Sequence, residues 1–156
     1  GNGIVDLKHY LIPAPLIVSN KVLAEAIISE KAVRDIMDMT RETSVVVTSL
    51  GGMEENSTVL KTGILSSERF KKLKKAGAVG DMLMHFIDKD GNLVGDEIEE
   101  RIISTKLENL KDKDYIVAAA GGEEKLPIIH TAITHGLVNV LIIDEVTAEL
   151  LLGATE

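Results

Sequence analysis

The chain has 156 residues, 45% hydrophobic and 27% charged, with net charge −8 and no cysteine. This is the composition of one globular domain with a real core, and it excludes disulfides, thiol nucleophiles and thiolate metal sites. No apolar run approaches the ~20 residues of a membrane helix, and the acidic balance with 3% aromatics argues against gripping nucleic acid through phosphates or stacked bases.

No signal peptide is visible and the chain opens on Gly1 rather than Met, so a cytoplasmic location is expected and residue 1 is not expected to be the natural start. Residues 4–10 show no period. Residues 11–18 are apolar but contain Pro13 and Pro15, which lack the N–H a sheet ladder needs, so an extended or edge segment is expected. Ser19 or Asn20 then caps a helix carrying Val22, Leu23, Ala26 and Ile27. After a break near Ser29 and Glu30, the stripe continues through Val33, Ile36 and Met37. Both helices are expected on one face of a sheet.

Residues 44–50 are β-branched and stop at Gly51 and Gly52, which reads as a buried parallel strand. A polar loop follows over residues 53–58, and residues 59–64 suggest a short strand or turn. Ser66 or Ser67 caps a helix through Lys75 that Gly77 ends. Lys71, Lys72, Lys74 and Lys75 cluster there, and complementing the helix dipole explains them better than a basic binding patch does. Apolar residues 82–87 come next, with His85 expected as a hydrogen-bonded packing residue. Residues 86–94 read as a hairpin turning at Asp90 and Gly91. Asp88, Asp90 and Asn92 echo a calcium loop, but the sixth position is Leu93 rather than the required Gly. Residues 98–106 are expected to end in a strand, and 107–111 in a short helix or turn.

Residues 115–152 form one pattern. An apolar strand over 115–120 stops at Gly121 and Gly122. A helix follows with Leu126, Ile129 and Ile133 on one face, closed by Gly136, since glycine tolerates the left-handed conformation past a helix end. A second apolar strand over 138–143 ends at Asp144 and Glu145, and a helix follows. A strand, a crossover helix and a parallel strand require a sheet buried on both faces. Ligands in such sheets sit beyond the carboxyl ends of the strands. Gly121 and Gly122 either let backbone approach an anion at a helix start or only make a tight turn. Lys125 can add a charge there. Asp81 and Asp144 are strand-end carboxylates suited to accept sugar hydroxyls or to act as acid and base. Asp144 alternatively caps the following helix. No paired histidines at zinc spacing, nucleophile elbow or phosphate loop of the Walker type is present, so neither a metal nor a cofactor is expected.

Three motifs resemble a known family: Ala78, Val79, Gly80 and Asp81; residues 118–125 with Gly121, Gly122 and Lys125; and residues 136–145 ending in Asp144 and Glu145. Residues 10–16, residues 49–52 with Gly51 and Gly52, and residues 63–66 add to it in the same order. The chain resembles the effector-binding domain of SorC-family bacterial transcriptional regulators over nearly all of residues 1–156. The resemblance implies an α/β fold with three αβα layers and a mainly parallel sheet, like sugar-phosphate isomerases and glucosamine-6-phosphate deaminases. It implies a non-enzymatic sensor for a phosphorylated sugar. DNA would be bound by a helix-turn-helix outside this chain, and the protein would be a homo-oligomer, dimer or tetramer. Asp81 would meet sugar hydroxyls, Lys125 phosphate or a sugar oxygen, and Gly121 and Gly122 the turn beside it. Lys61 or Thr62 lies where some relatives place a basic ligand contact. The family's first strand and its phosphate loop are expected to be missing here. The competing expectation is an isomerase- or deaminase-like enzyme on the same fold.

Overall fold

The β-branched run that begins at Val45 becomes the central strand of a five-stranded sheet. The computed structural model describes residues 8–153, so the reading of residues 4–7 lies outside it. The sheet order is β3-β2-β1-β4-β5. Its strands are β1 (Val45–Gly52), β2 (Ala78–Met82), β3 (His85–Asp88), β4 (Tyr115–Ala119) and β5 (Val140–Ile142). Among the described residues seven α-helices accompany them: α1 (Lys21–Ser29), α2 (Lys31–Glu42), α3 (Thr58–Lys61), α4 (Ser67–Lys75), α5 (Asp96–Glu99), α6 (Leu126–Thr134) and α7 (Glu145–Gly153).

The sheet is mixed, which corrects the mainly parallel expectation. β1 pairs with β4 and β4 with β5 in parallel, whereas β1–β2 and β2–β3 are antiparallel. The sequence reading missed that residues 78–88 are two strands joined directly. A two-residue connection can only join antiparallel neighbours.

Adjacent Phe86 and Ile87 point to opposite faces, as successive strand residues must. Ile87 joins Leu50, Met82, Ile116, Ala118 and Ile128 under α6. Phe86 joins Phe70, Leu73, Ala78 and Ile98 under α4 and α5. The β2–β3 end is thus packed on both faces, each buried large side chain contributing about 1.5–3 kcal/mol. Gly80 permits the close approach of α6, because a β-carbon there would lie 2.5 Å from Ile128 Cβ. The β1–β4–β5 end is packed on the α6 face alone among the described residues. On its other face Val47 is 71% and Ile142 59% exposed, with Val45 and Tyr115 also exposed. The expectation of a fully buried strand at 44–50 is corrected accordingly.

Asn20 caps α1, its side chain accepting the Leu23 N–H at 2.9 Å, and Glu30 separates α1 from α2. These helices do not bury themselves against the strands as expected. Ala24 and Val33 cluster with Val18 and Ile103, where the extended segment at 16–18 runs against residues 101–103 through an Ile17–Ile102 bridge. Two local readings are corrected: residues 58–61 are helical, and residues 98–106 contain the end of α5 and this bridge rather than a strand. The hairpin across 86–94 is present, with an Ile87–Leu93 bridge and Asp88 accepting the N–H groups of Asp90 and Asn92. Ser66 caps α4, whose four lysines are all exposed. Gly136, with φ 67°, follows α6.

Candidate functional site

A cavity of about 520 Å³ opens at the carboxyl end of β1, within the range of small-molecule sites. Its floor is Gly51 and Gly52 from β1 with Asp81 from the antiparallel neighbour β2. Gly51 and Asp81 are register partners. Lys125 and Glu124 enter from the short 3-10 turn before α6, and Asn56, Ser57 and Thr58 from the loop that starts α3. Leu83, Met84 and Ser104 complete much of the wall.

Four of the eight residues singled out from sequence therefore share one cavity: Gly51, Gly52, Asp81 and Lys125. Lys61, Gly121, Gly122 and Asp144 lie outside its wall. Asp144 does what the simpler reading expected, its Oδ1 accepting the Thr147 N–H at 2.9 Å at the start of α7. The Thr147 hydroxyl donates to Asp144 Oδ2 at 2.7 Å and accepts from the Gly122 N–H at 3.0 Å. These bonds stabilise the ionised carboxyl, so Asp144 sits below the usual carboxylate range, the Thr147 N–H being the main cause. Gly121 faces the same cluster, since a β-carbon on it would lie 2.6 Å from Asp144 Oδ2. Gly121, Gly122, Asp144 and Thr147 thus tie the ends of β4 and β5 together behind Lys125.

Asp81 and Lys125 are both half-buried. Burial pushes the Asp81 carboxyl above the usual aspartate value, opposed by the Met84 N–H and by the positive charges of Lys125 and His85. A partly desolvated carboxylate facing a cation across a small cavity can accept hydroxyl hydrogen bonds on one side and leave an anion to the other.

Sequence reasoning missed the turn between β2 and β3. Leu83 and Met84 have φ 53° and 70°, the left-handed geometry that two-residue hairpins favour and that Asn-Gly normally supplies. Non-glycine residues there store strain of about 1–3 kcal/mol each, and such strain gathers at ligand sites. Ser57 was missed as well. Its hydroxyl is buried with no hydrogen-bond partner among the described residues. Neither carries a local signal, because Leu83 and Met84 look like core and Ser57 like any polar loop residue. Among the described residues no group of three or more His, Asp or Glu side chains converges as a metal site.

Comparison with known proteins shows what the chain as a whole is similar to. The family model described as "Putative sugar-binding domain" matches residues 4–153. The chain is 35% identical over 146 residues to "Transcriptional regulator LsrR" of Klebsiella pneumoniae, covering 92% of this chain and 45% of that protein. It is 30% identical over 147 residues to "Deoxyribonucleoside regulator" of Bacillus subtilis, covering 94% and 46%. The chain spans less than half the length of these relatives. Among solved structures, a DeoR family transcriptional regulator from Listeria monocytogenes superposes with TM-score 0.87 at 25% identity, over 91% of this chain and 57% of that one. The full-length sorbitol operon regulator SorC from Klebsiella pneumoniae gives TM-score 0.80 at 26% identity, over 88% and 45%.

Proposed function

The chain belongs to the sugar-binding domain family, its matched relatives are named as transcriptional regulators, and from that premise we propose that it is the effector-sensing domain of a bacterial sugar-responsive regulator. A phosphorylated sugar occupies the cavity at the end of β1. Asp81 accepts its hydroxyls, Lys125 binds its phosphate or a ring oxygen, and Gly51 and Gly52 let it approach the strand backbone. Lys61, Gly121, Gly122 and Asp144 act around the cavity rather than in its wall. Occupancy is passed to a DNA-binding part outside this chain. The signal works by differential affinity for two arrangements of a homo-oligomer.

The observation that carries this reading is the convergence of Gly51, Gly52, Asp81 and Lys125, from three separate segments, on one cavity of sugar-phosphate size. The wall carries three carboxylates, Glu54, Asp81 and Glu124, and the Lys125 ammonium, a polarity that fits a hydroxylated ligand better than an apolar one, with Lys125 available to a phosphate. Asp144, one of the two carboxylates imagined as acid and base in the enzyme reading, is outside the wall and engaged by Thr147 at α7. That favours holding over turnover.

The test is a panel of sugar phosphates and their unphosphorylated sugars, applied to the chain and to any longer polypeptide containing it. Melting temperature and product formation are read together. Stabilisation by one phosphorylated sugar without product is the expected result. Product formation would replace the sensor with an isomerase- or deaminase-like enzyme, and no shift with any sugar would sink both.

A further inference from the structure

His85 is 2% exposed and lies on β3 directly after the strained Leu83–Met84 turn. Its Nδ1 is 2.8 and 2.9 Å from the two carboxylate oxygens of Glu99 on α5. Its Nε2 is 2.8 Å from the backbone carbonyl oxygen of Thr105. A carbonyl oxygen accepts only, so Nε2 carries a proton. Nearly equal approach of Nδ1 to both Glu99 oxygens is the geometry of one N–H shared by an ionised carboxylate. Both ring nitrogens are therefore placed to donate, the arrangement that an imidazolium satisfies.

The contacts of this cation frame the cavity. Thr105 adjoins Ser104 in the cavity wall, and Met84, the residue before His85, is in the wall too. Thr105 is also held by its hydroxyl, 3.2 Å from that of Thr40. Asp81 lies on the neighbouring strand and feels the His85 charge. Among the described residues the charged groups facing His85 are Glu99 from α5 and Asp81 from β2.

We propose that His85 is a positioning residue for this site: as a buried imidazolium it pins the Ser104–Thr105 wall to β3 and sets a positive charge near Asp81 that favours the hydroxyl-accepting carboxylate. Burial alone favours the neutral ring, and the Glu99 carboxylate and the Thr105 carbonyl outweigh it, raising the His85 pKa. The proposal rests on the reading that Asp81 faces the ligand, but its test needs no sugar.

A nitrogen-15 titration of the wild-type ring is expected to give a midpoint above that of an ordinary imidazole, with protons on both nitrogens below it. Glu99→Gln is expected to lower the ring's titration midpoint by about one pH unit or more, because it removes the charge that holds the second proton. His85→Gln keeps a donor for Thr105 and loses the charge, so the Asp81 carboxyl, followed by carbon-13 shift, is expected to titrate at higher pH than in wild type. A wild-type ring midpoint at or below the ordinary imidazole value overturns the proposal, as does an Asp81 midpoint that His85→Gln leaves unmoved. If His85→Gln does not fold, the wild-type and Glu99→Gln spectra still decide. Absence of sugar binding with these results intact would overturn the ligand assignment and leave the role of His85 standing.

Discussion

Gly51 on β1 and Asp81 on β2 face each other across an antiparallel pair so closely that a β-carbon on Gly51 would overlap Asp81 Oδ1. The room occupied by the carboxylate is the room a side chain at residue 51 would take. Backbone on one strand and a charged side chain on the next therefore share the cavity floor, and a side chain at residue 51 would push the carboxylate aside.

Gly51→Ala is expected to displace the Asp81 carboxylate and destabilise the chain by about 1–3 kcal/mol, the usual cost of overpacking a filled site. Denaturant unfolding measures the cost, and sugar titration the loss of binding. If Gly51→Ala binds and unfolds like wild type, the shared floor is wrong.

Lys125→Ala is expected to weaken phosphorylated sugars by roughly 10- to 100-fold, the range of one hydrogen bond to a charged group. Unphosphorylated sugars should lose far less. Asp81→Asn should weaken both kinds. Calorimetric titration of the two variants separates the roles, and equal losses for both ligand kinds in Lys125→Ala would show that Lys125 does not meet the phosphate.

The Ser57 hydroxyl is buried without a partner among the described residues, so Ser57→Ala removes an uncompensated polar group. Stability without ligand is expected to stay level or rise by up to ~1 kcal/mol, while affinity for the bound sugar falls. A clear loss of unliganded stability would mean that Ser57 has a structural role the geometry does not show.

Thr147→Val keeps the side-chain volume but strips the Gly122 N–H of its acceptor. Leaving such a group unsatisfied costs about 1–3 kcal/mol. Melting curves should show that loss. Little loss would mean that the join between the β4 and β5 ends is not held by this hydroxyl.

His85 and Asp81 both titrate above their ordinary values, and the sign is the same for each. The folded state holds the proton more tightly than the unfolded chain, so stability falls as pH rises through the folded pKa. For His85 the contribution is complete below about pH 6.5 and is lost at higher pH. For Asp81 it is complete below the ordinary carboxylate value. Melting temperature against pH should therefore decline above neutrality in wild type and flatten in His85→Gln, with Asp81→Asn flattening the acid range instead. A wild-type profile that rises above neutrality would contradict the His85 assignment.

The residues themselves determined a good deal. Asn20, Ser66 and Gly136 mark helix ends by local chemistry, and β-branched runs mark β1, β4 and β5, so those elements were legible. The Gly-Gly and Asp-Glu strand ends were legible too, because a strand–helix–strand unit places its ligand side at fixed ends. Only the tertiary structure decided which strand ends share a cavity. Asp81 and Lys125 are joined by sheet order, which depends on a direct β2–β3 hairpin whose Leu83–Met84 turn lacks glycine or asparagine and so leaves no sequence mark. The same holds for Asp144, where the Thr147 hydroxyl, three residues on, favoured a helix cap over a place in the cavity wall. His85 read as a hydrogen-bonded packing residue, which it is, but its partners, Glu99 14 residues away and the Thr105 carbonyl, came into view only with the fold. Local sequence sets backbone preference within a few residues, whereas charge, burial and pairing depend on groups the chain brings together only when it folds.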